Sequence, residues 1–139
     1  MNKKYIDSNI FLNSILYSDA KAKKCKEILY KIIQKEFVAV TSLLTWDEVV
    51  YIVEKNLGKN ISIQEGEKFL RFPNLSFIDV NKQIIYRAQE LASSYDIKPR
   101  DAIHAAAAII NNCNEIITDD SDFNSIKELK IIEPEKFRK

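Results

Sequence analysis

The order of apolar and polar segments predicts an α/β fold, a three-layer sandwich with a central, mostly parallel sheet and helices on both faces. Short apolar runs that suit strands alternate with longer segments in which apolar residues recur every three or four positions. This alternation is typical of right-handed β–α–β units. Because the chain has 139 residues, the usual size of one domain, we expect residues 1–139 to form a single domain.

Composition excludes several classes of site. Only two glycines occur, Gly58 and Gly66, which excludes the glycine-rich phosphate loops of P-loop and dinucleotide-binding proteins. A single histidine, His104, excludes a multi-histidine zinc site. Cys25 and Cys113 lack metal-type spacing and fit reduced thiols in a cytosol. Since no signal peptide is evident and no apolar run approaches the roughly 20 residues of a membrane span, we expect a cytoplasmic protein without a membrane partner.

The first predicted strand ends at an acid. Tyr5 and Ile6 suit a strand, and Asp7-Ser8-Asn9 are residues that end strands and cap helices. Apolar residues recur at helical spacing over 10–16. Asp7 is therefore expected where a strand passes into a helix, which is where ligands bind in an open α/β sheet. Taken alone, a simple helix cap also explains Asp7.

The next helix is predicted over residues 20–36, after a loop at 17–19. Its lysines lie largely off its apolar stripe. A solvated helix face is the simpler interpretation, and a basic patch for phosphate groups is the alternative. These lysines are Lys21, Lys23, Lys24, Lys26, Lys31 and Lys35.

A second acid falls in the helix that follows the second strand. Residues 37–40 are predicted to form this strand, and Ser42 is predicted to lead into a helix that runs to about Asn56. Residues 45–48 have capping-box spacing, so Glu48 would reach back to a helix start if the helix began there. If the helix begins at Ser42, Glu48 lies in its second turn among large apolar side chains, where a carboxylate needs a partner.

The middle of the chain adds a helix, a strand and another helix. Ser62 and Glu65 have capping-box spacing and are predicted to open a short helix that Pro73 closes. Residues 75–80 are predicted to form a strand. Asn81 is then expected to cap the helix that follows.

A third acid opens the next predicted helix. Pro99 suits the first helical position, which places Asp101 in the first turn, where the helix dipole favours an anion. The alanine run at 105–108 would let this helix approach the sheet closely. His104, one turn after Asp101, is expected to be packed or to contact a metal ligand rather than to bind metal itself.

The last acids follow a predicted strand at 115–118. Asp119, Asp120 and Asp122 lie within four residues, and carboxylates this close repel each other, for which a bound cation is the usual remedy. Residues 129–132 are predicted to form a final strand, and Pro134 to begin a short tail.

These acids together predict a metal site. They would meet only if the first and fourth strands are neighbours. Oxygen ligands without cysteine or histidine favour Mg²⁺ or Mn²⁺, and no side chain has the surroundings of an activated nucleophile, so metal-activated water is the expected attacker. One or two ions would suit the cleavage of a phosphodiester. The acids are Asp7, Glu48, Asp101 and Asp120, with Asp122 or Asp119 in support.

In this order and spacing the motifs resemble the PIN domain family, most closely the small ribonuclease toxins of VapC-type toxin–antitoxin pairs. The resemblance spans nearly the whole chain. It is carried by residues 5–9, by Glu48, by the stretch from Pro99 to Ala107 and by the stretch from Thr118 to Phe123. It selects Asp120 as the fourth acid, Asp122 as an auxiliary acid and Thr118 as a hydrogen-bonding residue, while Asp119 leaves the register ambiguous.

The resemblance implies sheet order 3-2-1-4-5 and an endoribonuclease, selective for single strands, that depends on Mg²⁺ or Mn²⁺. Asp7, Asp101 and Asp120 would bind metal directly, and Glu48 directly or through water. The implied partners are an RNA substrate, a second copy in a homodimer, and an antitoxin whose tail blocks the acidic pocket. Lysines of the 21–35 helix and Arg100 would steer the phosphate backbone.

Other functions remain open at this point. The same fold could serve housekeeping RNA processing, or it could be a catalytically silent binding module, although a scaffold needs no mutually repelling carboxylates. A phosphoaspartate hydrolase is disfavoured, because Asp7-Ser8-Asn9 lacks a second aspartate two residues on.

Overall fold

The computed structural model describes residues 2–137 and confirms the α/β fold. Over these residues, five parallel strands form one sheet in the order β3-β2-β1-β4-β5, as the resemblance implied. The strands are β1 Lys3–Ile6, β2 Val38–Ser42, β3 Leu75–Ile78, β4 Glu115–Ile117 and β5 Lys130–Ile132. The helices are α1 Ser8–Leu16, α2 Ala20–Ile33, α3 Leu44–Leu57, α4 Lys59–Leu70, α5 Lys82–Ser94 and α6 Pro99–Ile110, with 3₁₀ helices at Ser121–Ser125 and Pro134–Lys136.

Each face of the sheet has its own core, because neighbouring strand residues point to opposite faces. Tyr5 and Ile116 pack with α5 and α6, whereas Ile6 and Ile117 pack with α1, α2 and α3. All four side chains are fully buried. The two cores account for the adjacent apolar residues at the carboxyl ends of the central strands, Tyr5-Ile6 in β1 and Ile116-Ile117 in β4.

Helix α6 approaches the sheet closely, as its alanine run predicted. Pro99 begins the helix, and residues 105–108, all alanine, are fully buried. Small side chains here leave room for Tyr5 and Phe123 in the same core. The first turn of α6, with Asp101, thereby lies close to the sheet.

The start of α3 and that of α4 differ from the prediction. Ser42 does not lead a helix; it extends β2 and pairs with Ile78, because β3 continues far enough to offer it a partner. Gly58, at φ 90°, ends α3 and directly precedes α4. Ser62 is therefore inside α4, where its hydroxyl donates to the Lys59 carbonyl, and the capping box predicted there is wrong.

Two other element ends shift for local reasons. Helix α2 ends at Ile33, because Lys35 takes a left-handed conformation with φ 61°. Strand β3 ends at Ile78, where Asn81 turns back to donate its backbone N–H to the Asp79 carbonyl. The predicted cap is confirmed: the Asn81 side chain accepts from the N–H of Ile84. Among the described helices, none combines the length and the apolar character needed to span a membrane.

Candidate active site

The predicted acids meet at the carboxyl ends of β1 and β4, which are neighbours in the sheet. The backbone N–H of Asp7, just past β1, donates to the carbonyl of Ile117, the last residue of β4. This contact sets Asp7 beside Thr118. The N-terminal parts of α3 and α6 reach the same edge, so Glu48 and Asp101 complete the site.

Asp7 is nearly buried and its two carboxylate oxygens are well held. One oxygen, Oδ1, accepts the backbone N–H of Ser8 at 2.7 Å. The other, Oδ2, accepts the Thr118 hydroxyl at 2.6 Å and the Asn9 amide at 3.1 Å. Burial raises the pKa of Asp7, although nearby His104 and the Thr118 hydrogen bond oppose the shift.

Glu48 has the partner that its position required. It lies in the second turn of α3, since the helix begins at Leu44, and its Oε1 is 2.5 Å from Nε2 of His104. His104 is fully buried and its Nε2 is also 3.8 Å from Oδ1 of Asp7. His104 is therefore packed, as expected, and it contacts two of the predicted ligands; that these bind a metal stays a prediction.

His104 is held on its other side by β1. Its Nδ1 lies 2.6 Å from the Tyr5 hydroxyl, which donates to the Ser42 hydroxyl at 2.9 Å. Burial by itself would lower the pKa of His104, but contacts with Tyr5, Glu48 and Asp7 outweigh burial and raise that pKa well above its usual value. The imidazole thus joins two candidate acids to the sheet.

Asp101, Asp120 and Asp122 form a second group of acids. Their carboxylate oxygens lie within 4.8 Å of one another, as do the ligand atoms of the group formed by Asp7, Glu48 and His104. Burial, followed by the charges of Asp120 and Asp7, raises the pKa of Asp101 from 3.8 to about 7. Apart from burial, the neighbouring carboxylates therefore disfavour the ionisation of Asp101.

Asp119 points away from this group. Its Oδ1 is 2.8 Å from Nζ of Lys21, whereas the Asp120 carboxylate accepts the backbone N–H of Asp122 at 2.9 Å. The backbone N–H of Asp120 donates to Thr118 Oγ1 at 3.0 Å, which orients the segment. Of the two adjacent residues, Asp120 is the one with its carboxylate beside Asp101.

Sequence reasoning missed the role of Asn9. Its amide donates both to Asp7 and to Thr118 Oγ1, at 3.1 and 3.2 Å, and its Oδ1 accepts the backbone N–H of Asp119. Asn9 therefore ties the end of β1 to the segment after β4. The available signal is its place two residues after Asp7, within the stretch 5–9 that carries the family resemblance, but that position assigns Asn9 no hydrogen-bonding partner in the distant segment after β4.

The side chains present fit a hard divalent cation. Five carboxylates converge with no cysteine among them, and oxygen ligands of this kind are the ones that Mg²⁺ and Mn²⁺ prefer. The five are Asp7, Glu48, Asp101, Asp120 and Asp122.

A parallel sheet with a carboxylate site at the carboxyl ends of its central strands defines the class, an α/β protein with an acidic metal-type centre. The chain matches the PIN domain model over residues 4–129 and belongs to the PIN domain family.

The chain is also similar to individual proteins and solved structures. The chain is 25% identical to Ribonuclease VapC6 of Methanocaldococcus jannaschii over an alignment covering 92% of this chain and 95% of the relative. Among solved structures, Mycobacterium tuberculosis VapC20, a sarcin-ricin loop cleaving toxin, is similar with a TM-score of 0.76 at 15% identity, covering 89% of this chain and 95% of that one. DNA-bound VapBC from Salmonella typhimurium is similar with a TM-score of 0.75 at 19% identity, covering 96% and 99%.

Proposed function

We propose that the whole chain acts as one nuclease domain, an endoribonuclease that depends on Mg²⁺ or Mn²⁺ and serves as the toxin of a toxin–antitoxin pair. The observation that carries this proposal is the convergence of Asp7, Glu48, Asp101 and Asp120 at one sheet edge. Membership of the PIN domain family and similarity to a protein named a ribonuclease support it.

The acids would have different roles at the metal. Asp7, Asp101 and Asp120 would bind the metal directly, Glu48 directly or through water, and Asp122 as an auxiliary ligand. The bound metal would supply an activated water and stabilise charge on the phosphate oxygens. Deprotonated Asp101 is the form that binds a cation, so metal binding would release the proton that the crowded carboxylates favour.

The RNA backbone would meet positive charge beside the acids. Arg100, next to Asp101, is exposed and lies 3.9 Å from Asp47, a surface contact weak enough to exchange for a phosphate. On α2, Lys23 and Lys26 are exposed, whereas Lys21 is paired with Asp119. This distribution favours a mixed surface in which only some lysines are available to RNA.

An antitoxin and a second copy are the proposed protein partners, in the cytoplasm. The similar Salmonella typhimurium structure is a VapBC complex bound to DNA, which supports an antitoxin here. An acidic pocket offers an arginine of such a partner a charge-complementary site. Exposed large apolar side chains are available for interfaces, among them Tyr17, Trp46, Tyr51 and Tyr86.

The test is cleavage of a mixed total-RNA pool by the purified protein with Mg²⁺, Mn²⁺ or a chelator. Asp7→Asn and Asp101→Asn proteins of confirmed fold accompany it, with Glu67→Gln as the matched control, because Glu67 is an exposed carboxylate on α4. Discrete fragments that require metal and vanish in both aspartate variants are expected. Cleavage by Asp101→Asn at the wild-type rate would overturn the assignment.

The toxin role has its own test. Induced expression of the wild-type chain should stop growth of a bacterial host, and Asp101→Asn should not. Purified protein that cleaves RNA in vitro but leaves growth unchanged at matched expression would favour housekeeping RNA processing instead.

A further inference from the structure

A buried hydrogen-bond network connects the sheet to Glu48. The Ser42 hydroxyl, the Tyr5 hydroxyl, the His104 ring and the Glu48 carboxylate follow one another at 2.9, 2.6 and 2.5 Å. Ser42, Tyr5 and His104 are fully buried. Burying three polar side chains is costly unless each is hydrogen-bonded, so every hydrogen bond of this network must be made.

The geometry of the ring restricts what His104 can do. A carboxylate oxygen only accepts, so the hydrogen bond to Glu48 places a proton on Nε2. The other nitrogen, Nδ1, is engaged by the Tyr5 hydroxyl. Both ring nitrogens are therefore committed to hydrogen bonds, which leaves His104 to act through the side chain that it contacts.

Glu48 differs from Asp7 and Asp120 in what orients its carboxylate. Asp7 is oriented by Ser8 and Thr118, and Asp120 is oriented by its bond to Asp122. Glu48 has a longer side chain with more rotamers and projects from α3. Within residues 2–137, its carboxylate is hydrogen-bonded to His104. Its orientation toward Asp7 thus depends on a residue on α6.

We propose that His104 is a positioning residue, held by Tyr5, that fixes the Glu48 carboxylate against the metal site. This inference rests on the proposed function in one respect, that Glu48 faces the metal. The geometry of the hydrogen-bond network itself does not depend on which substrate is cut.

A pair of substitutions separates the two ring nitrogens. His104→Gln can place an amide N–H near the position of Nε2, whereas His104→Asn reaches only to the position of Nδ1. We expect Mn²⁺ affinity and kcat on RNA to fall by about 10- to 100-fold in His104→Asn and to recover substantially in His104→Gln. The KM for RNA should be unchanged, because His104 is buried and does not contact substrate.

A double substitution tests whether His104 acts through Glu48. In a Glu48→Gln background, His104→Asn should cause little further loss of Mn²⁺ affinity, because the carboxylate that the ring orients is already gone. A further loss as large as in the wild-type background would make His104 an independent metal ligand and overturn the proposal. Equal Mn²⁺ affinity of His104→Asn and wild type would overturn it too.

A readout without metal or RNA keeps this test separate from the proposed function. Because His104 is the single histidine, ¹⁵N-histidine labelling gives one imidazole spectrum. Glu48→Gln should shift the Nε2 resonance and speed exchange of its proton, and Tyr5→Phe should shift Nδ1, while Glu67→Gln changes neither. An Nε2 resonance unaffected by Glu48→Gln would refute the positioning contact, whereas a protein that passes this test but cuts no RNA would fail only as a ribonuclease.

Discussion

Asp119 and Asp120 are adjacent in the sequence, yet their carboxylates have different partners. Asp119 forms an ion pair with Lys21 at 2.8 Å, and Asp120 lies with Asp101 and Asp122. The divergence follows from the extended backbone of Asp120, which precedes the 3₁₀ helix and turns its side chain to the Asp122 N–H. The two residues therefore offer a matched test of the site.

Asp120→Asn is expected to lower cleavage at least about 100-fold, because it removes a direct ligand for the metal, whereas Asp119→Asn should change cleavage by less than about threefold. The ion pair lost in Asp119→Asn is partly exposed and contributes about 1 kcal/mol at most. Mn²⁺ affinity measured by calorimetry and initial rates on RNA check both. Equal losses in the two variants would contradict the assignment.

The metal-free protein should lose stability as pH rises from about 4 to about 7. Asp101 keeps its proton up to a pKa of about 7 in the folded state, against 3.8 as the ordinary value, so over this range the folded state binds more protons than the unfolded one. The contribution of protonated Asp101 to stability is then fully present below pH about 4 and decreases as the pH rises to about 7. Burial raises the pKa of Asp7 in the same direction.

Thermal unfolding in the presence of a chelator at several pH values measures how Tm changes with pH. In Asp101→Asn the decrease of Tm between pH 4 and 7 should be smaller, because one of the titrating groups has been removed. Added Mn²⁺ should raise Tm more above pH 7 than below it, since the carboxylates bind metal in their deprotonated form. A Tm that increases between pH 4 and 7 in chelator, and increases less in Asp101→Asn, would contradict the prediction.

Thr118→Val should destabilise the fold by about 1–3 kcal/mol and weaken Mn²⁺ binding, because it leaves buried partners of the hydroxyl without their hydrogen bonds. The hydroxyl donates to Asp7 at 2.6 Å and accepts from Asn9 and from the N–H of Asp120. Thr118→Ser retains the hydroxyl and should restore metal binding. Urea unfolding and Mn²⁺ titration measure both effects, and a serine variant as impaired as the valine one would assign the loss to packing.

Ala106→Leu should cost about 1–3 kcal/mol or more, since it forces a larger side chain into the closely packed space between α6 and the sheet. Ala106 is fully buried in the core that contains Tyr5 and Phe123. Ala92→Leu, on the exposed side of α5, is the matched control and should be nearly neutral. Chemical unfolding of the two variants gives the comparison, and similar stabilities would mean that α6 is less tightly packed than described.

The fold and the acids of the site were accessible from sequence because they depend on local patterns. Strand ends, helix first turns and the order of strands and helices place Asp7, Asp101 and Asp120 at one edge once β1 and β4 are neighbours. The capping box at Ser62 failed because the conformation of Gly58 starts α4 earlier, and local spacing alone does not weigh two competing starts.

What the sequence could not supply were contacts between distant residues. Glu48 and His104 are 56 positions apart, and the Asn9 amide reaches Thr118 across 109 positions. Such pairs depend on how α3 and α6 pack onto the sheet, which no periodicity encodes. The resemblance selects Asp120 over Asp119, but the ion pair that Asp119 forms with Lys21 of α2 is another contact between distant residues.

The order of the strands makes assembly of the site depend on the pairing of two strands that lie far apart in the chain. β1 is made first, yet one of its two neighbours is β4, so the first strand waits with an open edge until residues 115–117 have left the ribosome. Asp7 meets Asp120 only after that pairing. The acids are therefore brought together by the same long-range contact that completes the sheet, and a chain in which β1 and β4 have not paired lacks the assembled site.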